Sequence, residues 1–225
     1  MKAYFFIFAF IALSLNSYSQ LSVKLKKGDR IRVSSVSKVS APNEREYNTV
    51  SKLLLKILQV DSLGNYLVSC NLEGLEMDNS REGFESMRDK VRSYFDTSFN
   101  FILKKNYEIE FLEISEIQVF ILGGFATPLY FPDAPVSKGM VWSRKENIVG
   151  YDFLKNFKVS KVTRKYIYLD LEMVAPPPFN EHNLHWIKVD KKTGLIKASK
   201  YIANRPIQDG IIKQEESIKV ELLQR

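Results

Sequence analysis

The sequence predicts a mainly β, antiparallel fold: an open or closed barrel with one covering helix, at the margin of α+β, after an N-terminal signal peptide. Three observations predict it. Apolar residues recur with period two along most of the chain, turn formers stand between those runs, and one stretch changes to a helical period.

At the start, Lys2 precedes an unbroken apolar run from Phe5 to Leu13, and Ser17 and Ser19 flank Tyr18. This is the charged, apolar and small-x-small order of a cleaved export signal, so residues 1–19 are expected to be removed and 20–225 to form a single β-rich domain. The run is shorter than the roughly 20 residues that span a bilayer, and no later stretch approaches that length, so no transmembrane segment is expected after cleavage. The expected location is outside the cytoplasm, periplasmic or extracellular. A domain of about 200 residues buries roughly 70% of the surface its unfolded chain exposes, and needs no disulfide staple.

Strand alternation begins with Leu53, Leu55 and Ile57 against Lys52 and Lys56, and continues with Tyr66, Val68, Cys70 and Leu72. Cys70, the single cysteine, is read as a small buried hydrophobe of that row. Ile109 and Phe111 alternate with Glu108 and Glu110, and Ile117, Val119 and Ile121 are read as a further strand. Ile167, Leu169, Leu171 and Met173 face inward against Tyr166, Tyr168, Asp170 and Glu172, and Ile218, Val220 and Leu222 close the chain. Such one-sided strands belong to antiparallel sheets. Hairpin turns are expected at Asp61 to Asn65, Thr163 to Lys165 and Asp190 to Gly194.

The period changes once. Phe84, Met87, Val91 and Tyr94 recur at helical spacing, and Asn79 with Glu82 makes a capping-box start, which predicts a helix over 81–95 lying across the sheet. Pro128, Pro132 and Pro135 in one segment, and Pro176 to Pro178 in another, mark loops that cannot pair as central strand.

No catalytic constellation survives its context. Ser35 to Lys38 and Lys192 to Gly194 match two elements of penicillin-interacting enzymes, but Ser35 lies in a β-like run, the second is turn material, and no Ser-Asp-Asn completes the set. His182 and His185 are three apart in a proline-to-strand segment, so their side chains point to opposite faces and do not form a metal site. The carboxylate pairs Glu108 with Glu110 and Asp170 with Glu172 are expected on outer strand faces, solvated. Gly123-Gly124 lacks the phosphate-loop pattern. The protein is therefore expected to be no enzyme, to need no cofactor and to hold no metal.

The formal net charge of +7 favours acidic partners, such as an acidic envelope component, but no run of five like charges suggests nucleic acid. Lys155, Lys158, Lys161, Arg164 and Lys165 are read as an exposed basic face. Aromatics are the remaining candidates for a site. Phe125, Tyr130, Phe131, Trp142, Tyr151 and Trp186 are expected to point inward, where they fill a core or line a ligand cavity.

The segment Leu25 to Asp29 after the signal, the hairpin at Asp61 to Asn65, and Phe131-Pro-Asp-Ala-Pro-Val-Ser-Lys-Gly-Met-Val-Trp142 resemble an uncharacterised family of exported β-rich envelope proteins of Gram-negative bacteria. Met140 and Val141 replace residues that are more often polar there. Strands with one covering helix are, more remotely, similar to the half-barrels of periplasmic lipoprotein carriers and lipocalins, which implies an apolar or lipid-like ligand. The alternative expectation is an interaction module that docks an acidic envelope partner through basic strand faces.

Overall fold

The computed structural model describes residues 20–42, 46–77, 91, 94–95, 97–112, 118, 121–122, 129–148, 151–174, 176, 182–207 and 210–223. The expected export segment and most of the expected helix lie outside these residues, as does Phe125. Val91, within that helix, is helical and fully buried.

Period-two segments pair into one antiparallel sheet of eleven strands: β1 (Arg30–Ser40), β2 (Tyr47–Val60), β3 (Tyr66–Met77), β4 (Ser98–Leu103), β5 (Ile109–Phe111), β6 (Val141–Ile148), β7 (Tyr151–Val162), β8 (Tyr166–Val174), β9 (His182–Asp190), β10 (Ile196–Ile207) and β11 (Gly210–Leu223). The spatial order is β5-β4-β3-β2-β1-β11-β10-β9-β8-β7-β6. Two meanders, β1–β5 and β6–β11, are thus stitched together where β1 meets β11, with Arg30 opposite Leu223 and Ser40 opposite Lys213.

This order leaves β5 and β6 as the two edges, although they follow one another in sequence. The chain must pass from one edge to the other through residues 112–140. Strand twist of about 20–25° per neighbour curls so long a sheet toward closure. Contacts bridge the edges. Phe131 N donates to Asn106 O at 2.9 Å. Arg144 on β6 donates from Nη2 to Glu108 Oε1 at 2.9 Å and lies 4.5 Å from the Tyr130 ring centre. Trp142 donates from Nε1 to Tyr130 O at 3.0 Å and stacks on Phe157 with centroids 5.0 Å apart. Lys104 flanks the seam, 3.2 Å from Glu110.

The three expected hairpins form. Asp61 Oδ1 accepts from the backbone N–H of Leu63 and Asn65, each at 2.8 Å. Asp190 Oδ1 likewise accepts from Lys192 N at 3.0 Å and Thr193 N at 2.9 Å, while Tyr166 N donates to Thr163 Oγ1 at 2.9 Å. The likeness of the first and third turns is aspartate turn chemistry.

Residues 20–25 form a strap across one end of the curled sheet. Val23 N donates to Lys105 O at 2.7 Å, Lys24 N to Thr193 O at 2.8 Å, and Tyr66 Oη to Val23 O at 2.8 Å. Leu21, Val23 and Leu25 point inward and join Tyr107, Leu129, Phe131, Val136 and Leu195 in a plug. Above the plug lie Ile31, Leu55, Val68, Cys70, Phe101, Val159 and Val189, all fully buried. Cys70 is a core residue, its thiol pushed up to about 12 by burial.

Two expectations are corrected. The segment containing Ile117, Val119 and Ile121 is no strand where it is described, since Gln118, Ile121 and Leu122 are helical. Leu222 is over a third exposed although it keeps the inward phase, because it lies at the free end of β11.

The strap depends on Gly194, which has φ +69°, and a Cβ there would overlap the Ser22 carbonyl. Gly139 has φ +84° but open space around it. Gly194→Ala is therefore expected to cost roughly 3 kcal/mol or more, because strain and overlap combine. Gly139→Ala should cost only about 1 kcal/mol, the left-handed term alone. Urea midpoints of the two variants measure this, and equal losses would show that the strap is not packed as described.

Candidate functional site

Three strands change composition along the concave face while keeping phase. On β1 the inward residues run Ile31, Val33, then Ser35, Ser37, Val39. On β2 they run Ile57, Leu55, Leu53, then Ser51, Thr49, Tyr47, and on β11 Val220, Ile218, then Glu216, Gln214. The apolar half meets the plug. The polar half faces a cavity of about 270 Å³. Leu72, Leu75, Val91 and Ile121 supply its apolar wall, and Ser35, Ser37, Thr49, Ser51, Gln214 and Glu216 its polar wall. Ser35 Oγ and Ser51 Oγ are 2.9 Å apart, one hydroxyl donating to the other.

The same face continues across the sheet. In one register row Tyr47 lies opposite Val39, Val39 opposite Gln214, and Gln214 opposite Ala203. The row then passes through Asn183, Met173 and Lys155 to Arg144. The neighbouring row runs Thr49, Ser37, Glu216, Tyr201, His185, Leu171, Phe157, Trp142. Cavity-lining residues thus share rows with a second, more charged group on β6–β9.

Lys155 corrects the expected basic face, since it is 1% exposed. Its phase explains this: it is two and four residues before the inward Phe157 and Val159. Burial, and then Arg144, lowers its pKa from 10.5 to about 7. His185 is also buried, with its ring tilted against Tyr201 at 4.4 Å, and burial followed by Lys155 lowers its pKa from 6.5 to about 4. Asn183, two residues earlier on β9, is 1% exposed. Counting by two from Ile187 and Val189 would have found Asn183 and His185, and from Phe157 would have found Lys155.

Glu108 is also corrected. It is half-buried at the seam; burial alone would raise its carboxyl, but the Arg144 hydrogen bond, then the charges of Arg144 and Lys104, hold it below the ordinary range.

The expected aromatics are dispersed. Phe131 is in the plug, Tyr130 and Trp142 frame the seam, and the side chain of Tyr151 is not described. Trp186 faces outward, 44% exposed, because its neighbours His185 and Ile187 take the inward phase. It borders a convex groove of about 500 Å³ with Val141 and Leu184. Charges of both signs cover the convex face: Lys158 lies opposite Asp170, and Lys200 pairs with Glu215 at 3.2 Å. Among the described residues no helix is long and apolar enough to cross a membrane, and no group of three or more His, Cys, Asp or Glu comes together.

A curled antiparallel sheet with a cavity on its concave face defines an open half-barrel. No family model matches the chain, and no curated protein matches it. Among solved structures it is similar to a candidate outer membrane lipoprotein-sorting protein domain from Vibrio parahaemolyticus, at 8% identity, TM-score 0.23, covering 88% of this chain and 86% of that one. It is also similar to a LolA superfamily protein from Nitrosomonas europaea, at 10% identity, TM-score 0.25, covering 90% and 89%. At these TM-scores the likeness carries no argument about the site, which rests on its own residues.

The two depressed bases set a pH profile. Between pH 7 and 10.5 the unfolded chain holds a proton on Lys155 that the folded chain has lost, so stability rises with pH there. His185 makes stability fall as pH drops from 6.5 towards 4. Lys155→Met should flatten the alkaline rise and stabilise the ligand-free chain at pH 7 by on the order of 2 kcal/mol. Urea unfolding at pH 7 and pH 9.5 checks both, and an unchanged alkaline rise in the variant would contradict the assignment.

Proposed function

We propose that this chain is a non-enzymatic binding protein, exported to the periplasm or beyond, that holds an apolar, lipid-like ligand against the concave face of its half-barrel. The concave cavity carries this reading. Its wall of Leu72, Leu75, Val91 and Ile121 is apolar, and its other wall offers hydroxyls and one carboxylate instead of packed side chains. Ligand sites combine these features: apolar surface supplies affinity, and a few placed polar groups fix orientation. The closed end supplies the complement, since the plug and strap bury the rest of the interior. A ligand therefore enters from the end where Ser40, Tyr47 and the β10–β11 hairpin stand.

Among the described residues the convex face mixes charges of both signs, as at Lys158 with Asp170 and Lys200 with Glu215, which does not favour the alternative, docking of an acidic partner. Tyr130, Phe131 and Trp142 serve the ligand indirectly, by holding the seam beside which Arg144 stands.

Native mass spectrometry of protein taken from its own envelope should show a co-purifying amphiphile. Displacement of an apolar fluorescent probe should follow a simple saturation curve. Ser51→Trp, which fills the cavity without touching the plug, should weaken probe binding about tenfold or more, roughly 1.4 kcal/mol, while the thermal midpoint stays within a few degrees. Probe binding unaffected by that substitution, with no co-purifying molecule, would overturn the reading.

A further inference from the structure

The side chains that β6–β10 turn outward have no part in the concave site. In one register row Val141 lies opposite Lys158, Lys158 opposite Asp170, Asp170 opposite Trp186 and Trp186 opposite Lys200. The next row runs Ser143, Asn156, Glu172, Leu184. Trp186 is 44% exposed and belongs to two grooves at once. One, of about 500 Å³, extends from it toward Val141 and Ser143, and the other, of about 320 Å³, toward Tyr168 and Lys200. Both volumes lie in the range of ligand sites. Phase explains why position 186 points outward but not why a tryptophan stands there. With the exposed Leu184 and Val141 it makes apolar surface on a strand face that water would otherwise favour as polar.

The polar groups of the grooves narrow the chemistry of what covers that surface. Ser143 Oγ donates to Asn156 Oδ1 at 2.8 Å, Asn156 Nδ2 to Glu172 Oε2 at 3.4 Å, and Ser160 Oγ to Asp170 Oδ1 at 3.1 Å. These bonds hold planar polar groups beside the indole. The Asn156 amide has a second N–H, and the Asp170 carboxylate has acceptor sites beyond the one Ser160 fills. A dry apolar partner would cover Trp186 but bury those groups without completing them. A strongly charged partner is not selected either: Lys158 faces Asp170, Lys188 lies 4.0 Å from the Tyr166 ring centre, and Lys200 pairs with Glu215. A pyranose ring meets both demands. Its C–H face stacks on an aromatic ring, and each hydroxyl on its rim both donates and accepts.

We propose that the convex grooves of β6–β10 bind a neutral glycan chain, with Trp186 stacked on one sugar ring and Asn156 and Asp170 taking hydroxyls of that ring and its neighbour. Four inter-strand spacings separate β6 from β10, about 19 Å at the ordinary spacing. The site therefore takes a linear chain of several rings, and a single sugar fills only part of it. It lies on the face opposite the concave cavity and does not rest on the apolar-ligand reading.

Calorimetry on the mature chain tests it with maltohexaose, cellohexaose and the hexamer of N-acetylglucosamine, and with glucose and hexagalacturonate as controls. At least one neutral hexamer should bind about tenfold or more tightly than either control. Trp186→Ala should weaken that binding about tenfold or more, Trp186→Phe should weaken it less because a ring remains, and Asp170→Ala should act in the direction of Trp186→Ala. Thermal midpoints of the three surface variants should stay within a few degrees of the parent, so that lost binding is not lost folding. Displacement of the apolar probe should be unchanged in Trp186→Ala, which separates this site from the concave one. Failure of every neutral hexamer to bind, or binding that Trp186→Ala leaves intact, overturns the inference. A preference for hexagalacturonate that fades with added salt also overturns it, in favour of an acidic partner.

Discussion

Among the described residues a single layer of eleven strands supplies most of the core, and the rest of the structure depends on how the apolar face of that layer is covered. One face of an antiparallel sheet tolerates water, the other must be covered. Here the pairing of β1 with β11 places the two meanders side by side and sends β5 and β6 to opposite edges. The apolar face is buried only if the sheet curls until those edges approach. The Arg144–Glu108 ion pair and the Phe131–Asn106 hydrogen bond join the edges once they do. Partly exposed ion pairs contribute about 1 kcal/mol or less, so Arg144 and Glu108 fix the register of the closure more than they drive it. The drive is the burial of Leu53, Leu55, Ile57, Ile167, Leu169 and their neighbours.

Curling creates two ends, and the chain treats them differently. At one end the strap and the 129–136 loop close the interior with Leu21, Val23, Phe131 and Val136. Toward the other, the same strands keep their phase but exchange aliphatic side chains for serine, threonine, glutamine and glutamate. Stability and binding are thereby assigned to different stretches of the same strands. A residue such as Ser35 sits two positions from the core residue Val33, on the same face, with a different task.

Much of this architecture was legible in the sequence because period two is a local signal. The alternations of Leu53 to Ile57, Tyr66 to Leu72 and Ile167 to Leu171 all face inward, and the aspartate turns lie where they were read. What was not legible depends on context beyond a few residues. Ile117, Val119 and Ile121 satisfy a strand pattern, yet Ile117 and Ile121 also satisfy a helical one, and tertiary packing chose helix at 118 and 121–122. Trp186 and Lys155 were misjudged for a shared reason: residue type outweighed phase. A tryptophan was read as interior and a lysine as surface, whereas the alternation around each gives the opposite face. The cavity itself could not be read, because it is assembled from β1–β3, β11 and two helical positions far apart in the chain.

That misjudged pair shows how a half-barrel can hold a charged group inside. A lysine whose pKa burial lowers to about 7 is held inside at a cost, and a chain of marginal stability tolerates this only if burial elsewhere exceeds the loss. The closed end supplies that excess, with an unbroken apolar core from Leu21 on the strap to Val189 on β9. Beside that core the concave face of β7–β9 keeps Lys155, Asn183 and His185 buried. Lys155 is therefore better understood as a residue held at a local disadvantage by a strong core than as a flaw in that core.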